Sequence, residues 1–553
     1  MRLHIAMFAF SLLPSLAMGT EESSCVPLQG IVEGGDGVTT LNLADIKVSM
    51  ETEIFDFRNP IIPTLAACSS GLETPVSMRG LLAIDSSVWS VASAFEPAPW
   101  LDVFGDKNTT DQRRRCQPED TDDDEQKLLF LLHYRVAEIY AVVGAALKLM
   151  PFCRETIEPL MESRGHPLSF LEEGDGGSVD TSMPWGLGRA YGDEIWAYLT
   201  ENDGWNADGS MGGREFNRVP FSGDFSMTDS EGNSWSSYEP QNSPYEFKKK
   251  SKWQPLMESD GLGYVYVQEH VTPHIGSTAR FLGFSSKDDE DDFAARKLSR
   301  PAYNNKSYRS GARAVLEQSA LTADSPYRQF ALSFFDNKFN SLIPLKIAYF
   351  LRDTTTAEYT TADFYQITLE VQVAIYNGIL LAWKEKIRHD RPRPPSVIKD
   401  VLGDEMVETY AGPDQGVQSM KASEWEPFIR TMPHSEYPSA SACLCEAFAR
   451  QVETFLGSDA IEPALQFPPG DPPAGFDSPP LEFSTWSEVS EVCGDSRFWG
   501  GLHFEEAVTG GVELCGGDDM AKSIHDSFER LKAGDESAAI FKKDIGELMV
   551  RPV

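Results

Sequence analysis

The chain has 553 residues, 85 of them acidic and 48 basic, for a formal net charge of -37. With 41% hydrophobic and 11% aromatic residues it can build a packed core, which excludes disorder throughout. So acidic a surface repels nucleic acid and anionic membranes, so neither is an expected partner.

Residues 1–19 read as a secretory signal. Arg2 precedes the apolar run Ile5 to Met18, and small residues near Ala17 and Gly19 offer a cleavage site. A secreted protein is the expectation. The eight cysteines all follow that site, which suits disulfides. Cys443 and Cys445 would stand about 200° apart on a helix, so they should not bridge each other. Asn108-Thr-Thr and Asn305-Lys-Ser are acceptor sequons for glycosylation.

Residues 20–125 form a mixed segment expected to pack on the core, ending in the acidic loop 119–125. A helical domain should fill 126–553. Gln126 to Phe152 is a helix by the spacing of Leu128, Leu131, Leu132, Val136, Ile139, Val142 and Val143, with Pro151 near its end. Its most apolar run, Val136 to Met150, contains Glu138 and Lys148 and reads as too short to span a membrane. A loop-rich insertion at about 165–320 is rich in Gly, Asp, Ser, Trp and Pro, with one helix near Trp185 to Thr200 and a solvated charge run from Lys287 to Asp292. Helices return at Tyr327 to Leu351, Ala362 to Ile387, and Ser439 to Leu456, where Gly457 is a C-terminal stop. Ser484 to Leu514 holds two shorter pieces, and Met520 to Leu531 a last amphipathic helix. Pro463 to Pro480 carries seven prolines and reads as a loop. The pattern is an all-α helical bundle core with a long loop-rich insertion.

Three short segments could together form an oxyanion pocket. The first is Lys386 followed, after six residues, by Arg393-Pro394. Around it Lys384, Lys386, Arg388, Arg391 and Arg393 outweigh Glu385 and Asp390, a basic island in an acidic chain. The second is Tyr437-Pro438-Ser439-Ala440-Ser441. Proline suits a first turn, Ser439 can cap it, and the free N–H groups that follow, including that of Ala440, attract an anion. The third is Ser496-Arg497 with His503 six residues on. That spacing leaves Arg497 and His503 about 120° apart on a regular helix, so they share a ligand only if Gly500-Gly501 breaks it. Each segment alone also has an ordinary structural reading. Taken together, three cations, a hydroxyl, a helix start and an imidazole suit a phosphate-like anion.

This ordered set resembles the vanadium-dependent haloperoxidases and the related type 2 phosphatidic acid phosphatases, whose pattern is Lys-x6-Arg-Pro, Pro-Ser-Gly-His and Ser-Arg-x5-His. Met78-Arg79-Gly80-Leu81-Leu82, Trp185-Gly186-Leu187-Gly188, Trp253-Gln254-Pro255-Leu256, Thr272-Pro273-His274 and Trp383-Lys384-Glu385-Lys386 are also similar to the haloperoxidase branch. Lys384 and Arg391-Pro392 offer a second register for the first motif; Arg393-Pro394-Pro395-Ser396-Val397-Ile398 favours Lys386 with Arg393. The resemblance implies two four-helix bundles and vanadate as cofactor in the 126–553 domain. His503 would bind the metal. Lys386, Arg393 and Arg497 would neutralise the vanadate oxygens, with Ser439 and the Ala440 N–H bonding them. Lys386 would also polarise hydrogen peroxide, the oxidant for a halide. His434, seven before Ser441, implies bromide or iodide; a small organic acceptor is optional.

Two residues depart from the pattern. Ser441 replaces the acid–base histidine of the second motif, which should lower activity unless His434 substitutes. Ala507 stands where the family often has an aspartate orienting the ligand imidazole; Glu505 or Glu506 would be its stand-ins. The rival readings are an acid phosphatase using His503 as nucleophile and a non-catalytic oxyanion-binding relative. A zinc hydrolase on His389, His434 and His503 lacks a recognised ligand spacing.

Overall fold

The computed structural model describes residues 25–26, 64, 74–119, 124–149, 151–163, 166–171, 179–201, 226–228, 234–236, 240–259, 263–268, 270, 281–284, 286–299, 301, 304–336, 338, 361–413, 415–468 and 478–542. The signal segment, Thr272-Pro273-His274 and most of the acidic loop before 124 lie outside them.

In chain order the helices are α1 (Thr74–Phe95), α2 (Lys107–Arg113), α3 (Asp124–Leu149), α4 (Arg154–Glu162), α5 (Pro184–Glu201), α6 (Lys287–Ala294), α7 (Asn305–Ala323), α8 (Pro326–Phe334), α9 (Thr361–His389), α10 (Pro394–Val401), α11 (Ala440–Leu456), α12 (Trp486–Trp499), α13 (Glu505–Cys515) and α14 (Asp518–Lys532). Among the described residues, four antiparallel hairpins decorate them: β1–β2 (Ser226–Thr228, Ser234–Ser236), β3–β4 (Met257–Ser259, Val265–Val267), β5–β6 (Met406–Tyr410, Val417–Lys421) and β7–β8 (Ala460–Phe467, Leu481–Thr485).

α1, α3 and α5 pack on one another, and α1 also packs on α9. The other side of α9 meets α11 and α14, and α11 meets α12 and α13. α9 is thus the shared wall of two helical bundles, and one buried apolar cluster runs through both. This is an all-α core. The cap signals act as their chemistry requires. Ser439 Oγ accepts the Ala442 N–H, Gly457 ends α11 at a φ of 67°, and Thr485 with Glu488 forms a capping box at α12. α13 lies so close to the start of α11 that a Cβ on Gly511 would sit 2.4 Å from the Ser439 carbonyl. Cys443 pairs with Cys515 and Cys445 with Cys493, tying α11 to α13 and to α12 from opposite sides; Cys25 pairs with Cys116.

Several expectations need correction. The mixed segment holds α1, which is buried on almost every side and so shows no amphipathic stripe. The loop-rich insertion contains α6 and α7 as well as α5; the start signal of α7 is a capping box between Asn304 and Ser307. The charge run from Lys287 is mostly exposed and helical. The helix from Tyr327 breaks at Phe335; Lys338 is helical again, and 339–351 lie outside the described residues. Pro463 lies within β7, an edge strand where a missing N–H is tolerated. α3 is longer than its apolar run: Gln126–Lys148 has the length and mean hydropathy (1.5) to cross a membrane, but 72% of that window is buried inside the fold.

Candidate oxyanion site

α9 ends at His389, and Asp390 turns the chain with a left-handed φ of 52°. Lys384 and Lys386 project from the last turns about 200° apart, so only one can face a given cavity. Lys384 Nζ donates to the carbonyls of Ala294 and Arg296. Glu385 accepts the Leu298 N–H at 2.9 Å and pairs with Arg388, fixing the helix end. Lys386 points the other way. Its Nζ donates to the carbonyls of Ser435 (2.8 Å), Glu436 (3.1 Å) and Pro438 (2.5 Å), the strand of chain leading into α11.

Arg393, which precedes the first proline of α10, enters the same space. Its Nε donates to the His434 carbonyl at 2.8 Å, one terminal nitrogen to the Leu502 carbonyl at 2.9 Å, and that same nitrogen lies 3.1 Å from His503 Nε2. Its other terminal nitrogen is 3.0 Å from His434 Nδ1. On the far side α12 stops at Trp499, and Gly501, with a φ of 79°, turns the chain so that the helix does not carry through to His503. Arg497 donates to the Leu332 carbonyl at 2.8 Å and pairs with Asp336 at 3.2 Å. Lys386, Arg393 and Arg497 are 0%, 1% and 2% exposed, so three cations are buried around one imidazole.

A guanidinium can only donate, so His503 Nε2 must present its lone pair to Arg393, and the ring proton sits on Nδ1. His503 stays neutral: burial first, and then the charges of Arg393, Lys386 and Arg497, hold its pKa well below the usual histidine value. The same causes, burial and then Lys386 and Arg393, depress His434. Its Nδ1 also lies 3.3 Å from the Ser435 carbonyl, but the shorter contact comes from a pure donor and sets this ring as the Nε2–H tautomer. Burial, then Arg393, pushes Lys386 down.

Ser439 and Ala440 form the floor, with Ser439 capping α11 and its N–H bonded to the Ala507 carbonyl at 2.8 Å. Ser441 is half-buried on the first turn of α11, and its side chain makes no hydrogen bond among the described residues. His389 turns away, onto Glu385 and the Tyr437 ring. Glu505 and Glu506 are exposed and do not reach His503. The carboxylate nearest its Nδ1 is Glu436, at 3.4 Å. Glu436, His270, Asp336 and the buried Lys338 are neighbours of this centre that the motif reading missed. His270 Nε2 accepts the Ser435 N–H at 2.9 Å, and its ring packs on Trp253, while His434 packs on Trp383. Among the described residues no group of three or more His, Cys, Asp or Glu could hold a metal ion.

Residues 366–533 match the family model of the VCPO second helical-bundle domain. These residues run from α9 to α14 and include the cradle formed by Lys386, Arg393, His434, Ser439, Arg497 and His503. The chain is similar in structure to an apo-type bacterial vanadium-dependent chloroperoxidase, with a TM-score of 0.65 at 19% identity over 84% of this chain and 95% of that one. The chain has the vanadium-dependent haloperoxidase fold. A holo-type bacterial vanadium-dependent chloroperoxidase gives a TM-score of 0.63 at 20% identity over 84% and 94%. A bacterial vanadium-dependent iodoperoxidase gives 0.51 at 16% identity over 88% and 97%. No curated protein matches the chain. Within this haloperoxidase fold the cradle lies where α9, α11 and α12 begin or end, so backbone irregularities position it.

Proposed function

We propose that the protein is a vanadium-dependent haloperoxidase that oxidises bromide or iodide with hydrogen peroxide, and that it is secreted. The observation that carries the reading is the His503 Nε2 lone pair, held neutral and aimed into a buried ring of cations. Buried positive charge is costly unless an anion offsets it, and a nitrogen lone pair adds a ligand that charge alone does not supply. The residues present fit vanadate. His503 would take the metal, Lys386, Arg393 and Arg497 the oxygens, and Ser439 with the Ala440 N–H the base of the site. Bound vanadate supplies a Lewis acid that activates peroxide without changing oxidation state. The net reaction is H2O2 + X⁻ + H⁺ → HOX + H2O, and free hypohalous acid needs no organic acceptor. Lys386 offsets negative charge on the oxidant. The proton comes from solvent, because Ser441 does not titrate near neutrality and His434, held neutral, offers its Nε2–H as a hydrogen bond and not as an acid. The disulfides suit an exported chain.

Ser441 also favours a second reading, an oxyanion-binding protein without turnover. One experiment decides. The full chain is supplied with vanadate and assayed for peroxide-dependent halogenation of a phenol with chloride, bromide and iodide, with phosphate-ester hydrolysis alongside. Vanadate-dependent bromination, lost in His503→Ala, is the expected result. Vanadate binding with neither activity points to the binding protein, and hydrolysis alone to a phosphatase.

A further inference from the structure

Glu436 is fully buried three residues before the cap of α11, where a carboxylate is expensive to keep. Its surroundings give it a task. Oε1 accepts the Phe504 N–H at 2.9 Å and lies 3.4 Å from His503 Nδ1, so one carboxylate bonds the backbone of Phe504 and faces the ring of the residue before it. Its own N–H donates to the Arg391 carbonyl at 2.9 Å. Oε2 lies 3.9 Å from Arg391 Nε, and that guanidinium lies over the rings of Tyr308, Tyr437 and Phe504. The His503 proton belongs on Nδ1 because Nε2 faces Arg393, and Nδ1 has no hydrogen bond of good geometry among the described residues. The Glu436 carboxylate is its nearest carboxylate acceptor. At the alternative position, four residues after His503, the chain has Ala507, fully buried and unable to accept.

We propose that Glu436 is the positioning residue for His503: it holds the proton on Nδ1 and so keeps Nε2 open as a ligand, with Arg391 as the charge that offsets the carboxylate. Arg391, the arginine of the second motif register, thus serves the carboxylate and not the oxyanion. A carboxylate behind a ligand histidine raises its basicity as well as fixing its tautomer. It also adds negative charge beside an anion site. Glu436 therefore favours an oxyanion that bonds to nitrogen and slightly disfavours one held by charge alone.

That opposition gives the test, and it rests on the vanadate reading above. Dissociation constants for vanadate and for inorganic phosphate are measured by calorimetry on the wild-type full chain and on Glu436→Gln, which keeps an oxygen for the Phe504 N–H. The expected result is a loss of about 10–100-fold for vanadate with phosphate unchanged or tighter. An equal loss for both anions makes Glu436 a fold residue only and overturns the proposal, as does no change in either. Wild type binding vanadate no better than phosphate sinks the vanadate reading instead. In that case, or if the variant does not fold, 15N-histidine NMR of the wild type decides. A His503 ring protonated on Nδ1 supports the positioning role, and one protonated on Nε2 refutes it.

Discussion

The second bundle contains two buried polar centres that use similar residues in opposite ways. In one, Glu370, fully buried on α9, accepts from Gln366 (2.7 Å), Gln451 (2.8 Å) and His525 (3.1 Å), while Gln366 also bonds Glu529 and Lys532. Donors there meet acceptors and cations meet carboxylates. In the other, the hydrogen bonds of Lys386 all go to backbone carbonyls, and the histidines are held neutral by burial and then by surrounding positive charge. The first centre completes itself and acts as a structural clasp between α9, α11 and α14. On the function proposed above, the second would be completed by an anion, so its residues would answer to a ligand and not only to the fold.

The largest expected effect separates the centres by linkage. Vanadate at a hundredfold excess over its dissociation constant should stabilise the wild type by about 2.7 kcal/mol. His503→Ala should remove that increment, and denaturant titrations with and without vanadate measure it. An increment that survives the substitution places the anion elsewhere. Lys386→Met should also remove most of it, whereas Lys384→Met should leave it intact because Lys384 is bonded to the carbonyls of Ala294 and Arg296. The reverse order would mean that the other register faces the anion. Next comes Glu370→Gln. Losing the charge-assisted bonds of a buried clasp should lower stability by about 1–3 kcal/mol without changing the vanadate increment. A variant that loses the increment too would join the two centres into one.

How much of this was legible before folding depended on the kind of signal. α11 and α14 could be read because each buries a stripe or carries a cap. α1 shows no stripe, because burial on all sides erases periodicity; α9 is buried as completely and was legible only as a long apolar run. Ordered spacing pointed to Lys386, Arg393, Arg497 and His503 as one group, and the structure buries all four. The register was also within reach, since residues two apart on a helix face nearly opposite ways. Glu436 was not legible. A carboxylate that replaces a missing one from another segment leaves no mark at the empty position, and only the approach of the Tyr437-Pro438 loop to Phe504 brings it there.

The smallest expected effect is the pH dependence of stability, and the two centres should slope in opposite directions. His525 has its pKa raised above 6.5, first by its hydrogen bond to Glu370. A group raised on folding stabilises fully below its unfolded pKa, and the contribution fades as pH rises through the folded value. The stability gap between wild type and His525→Gln should therefore be widest in mild acid and close as pH rises. His434 has the opposite sign. Its folded pKa lies well below 6.5, so the unfolded ring binds a proton that the folded ring refuses, and stability drops as pH falls through the unfolded value. Replacing it with phenylalanine keeps a ring against Trp383 and removes that penalty. His434→Phe should then gain on the wild type as the medium becomes more acidic, over the same range in which His525→Gln falls behind. Stability curves from denaturant midpoints between about pH 5 and 8 would show the two variants diverging from the wild type in opposite directions. Curves that run parallel would mean that neither burial nor the cations beside it depress His434.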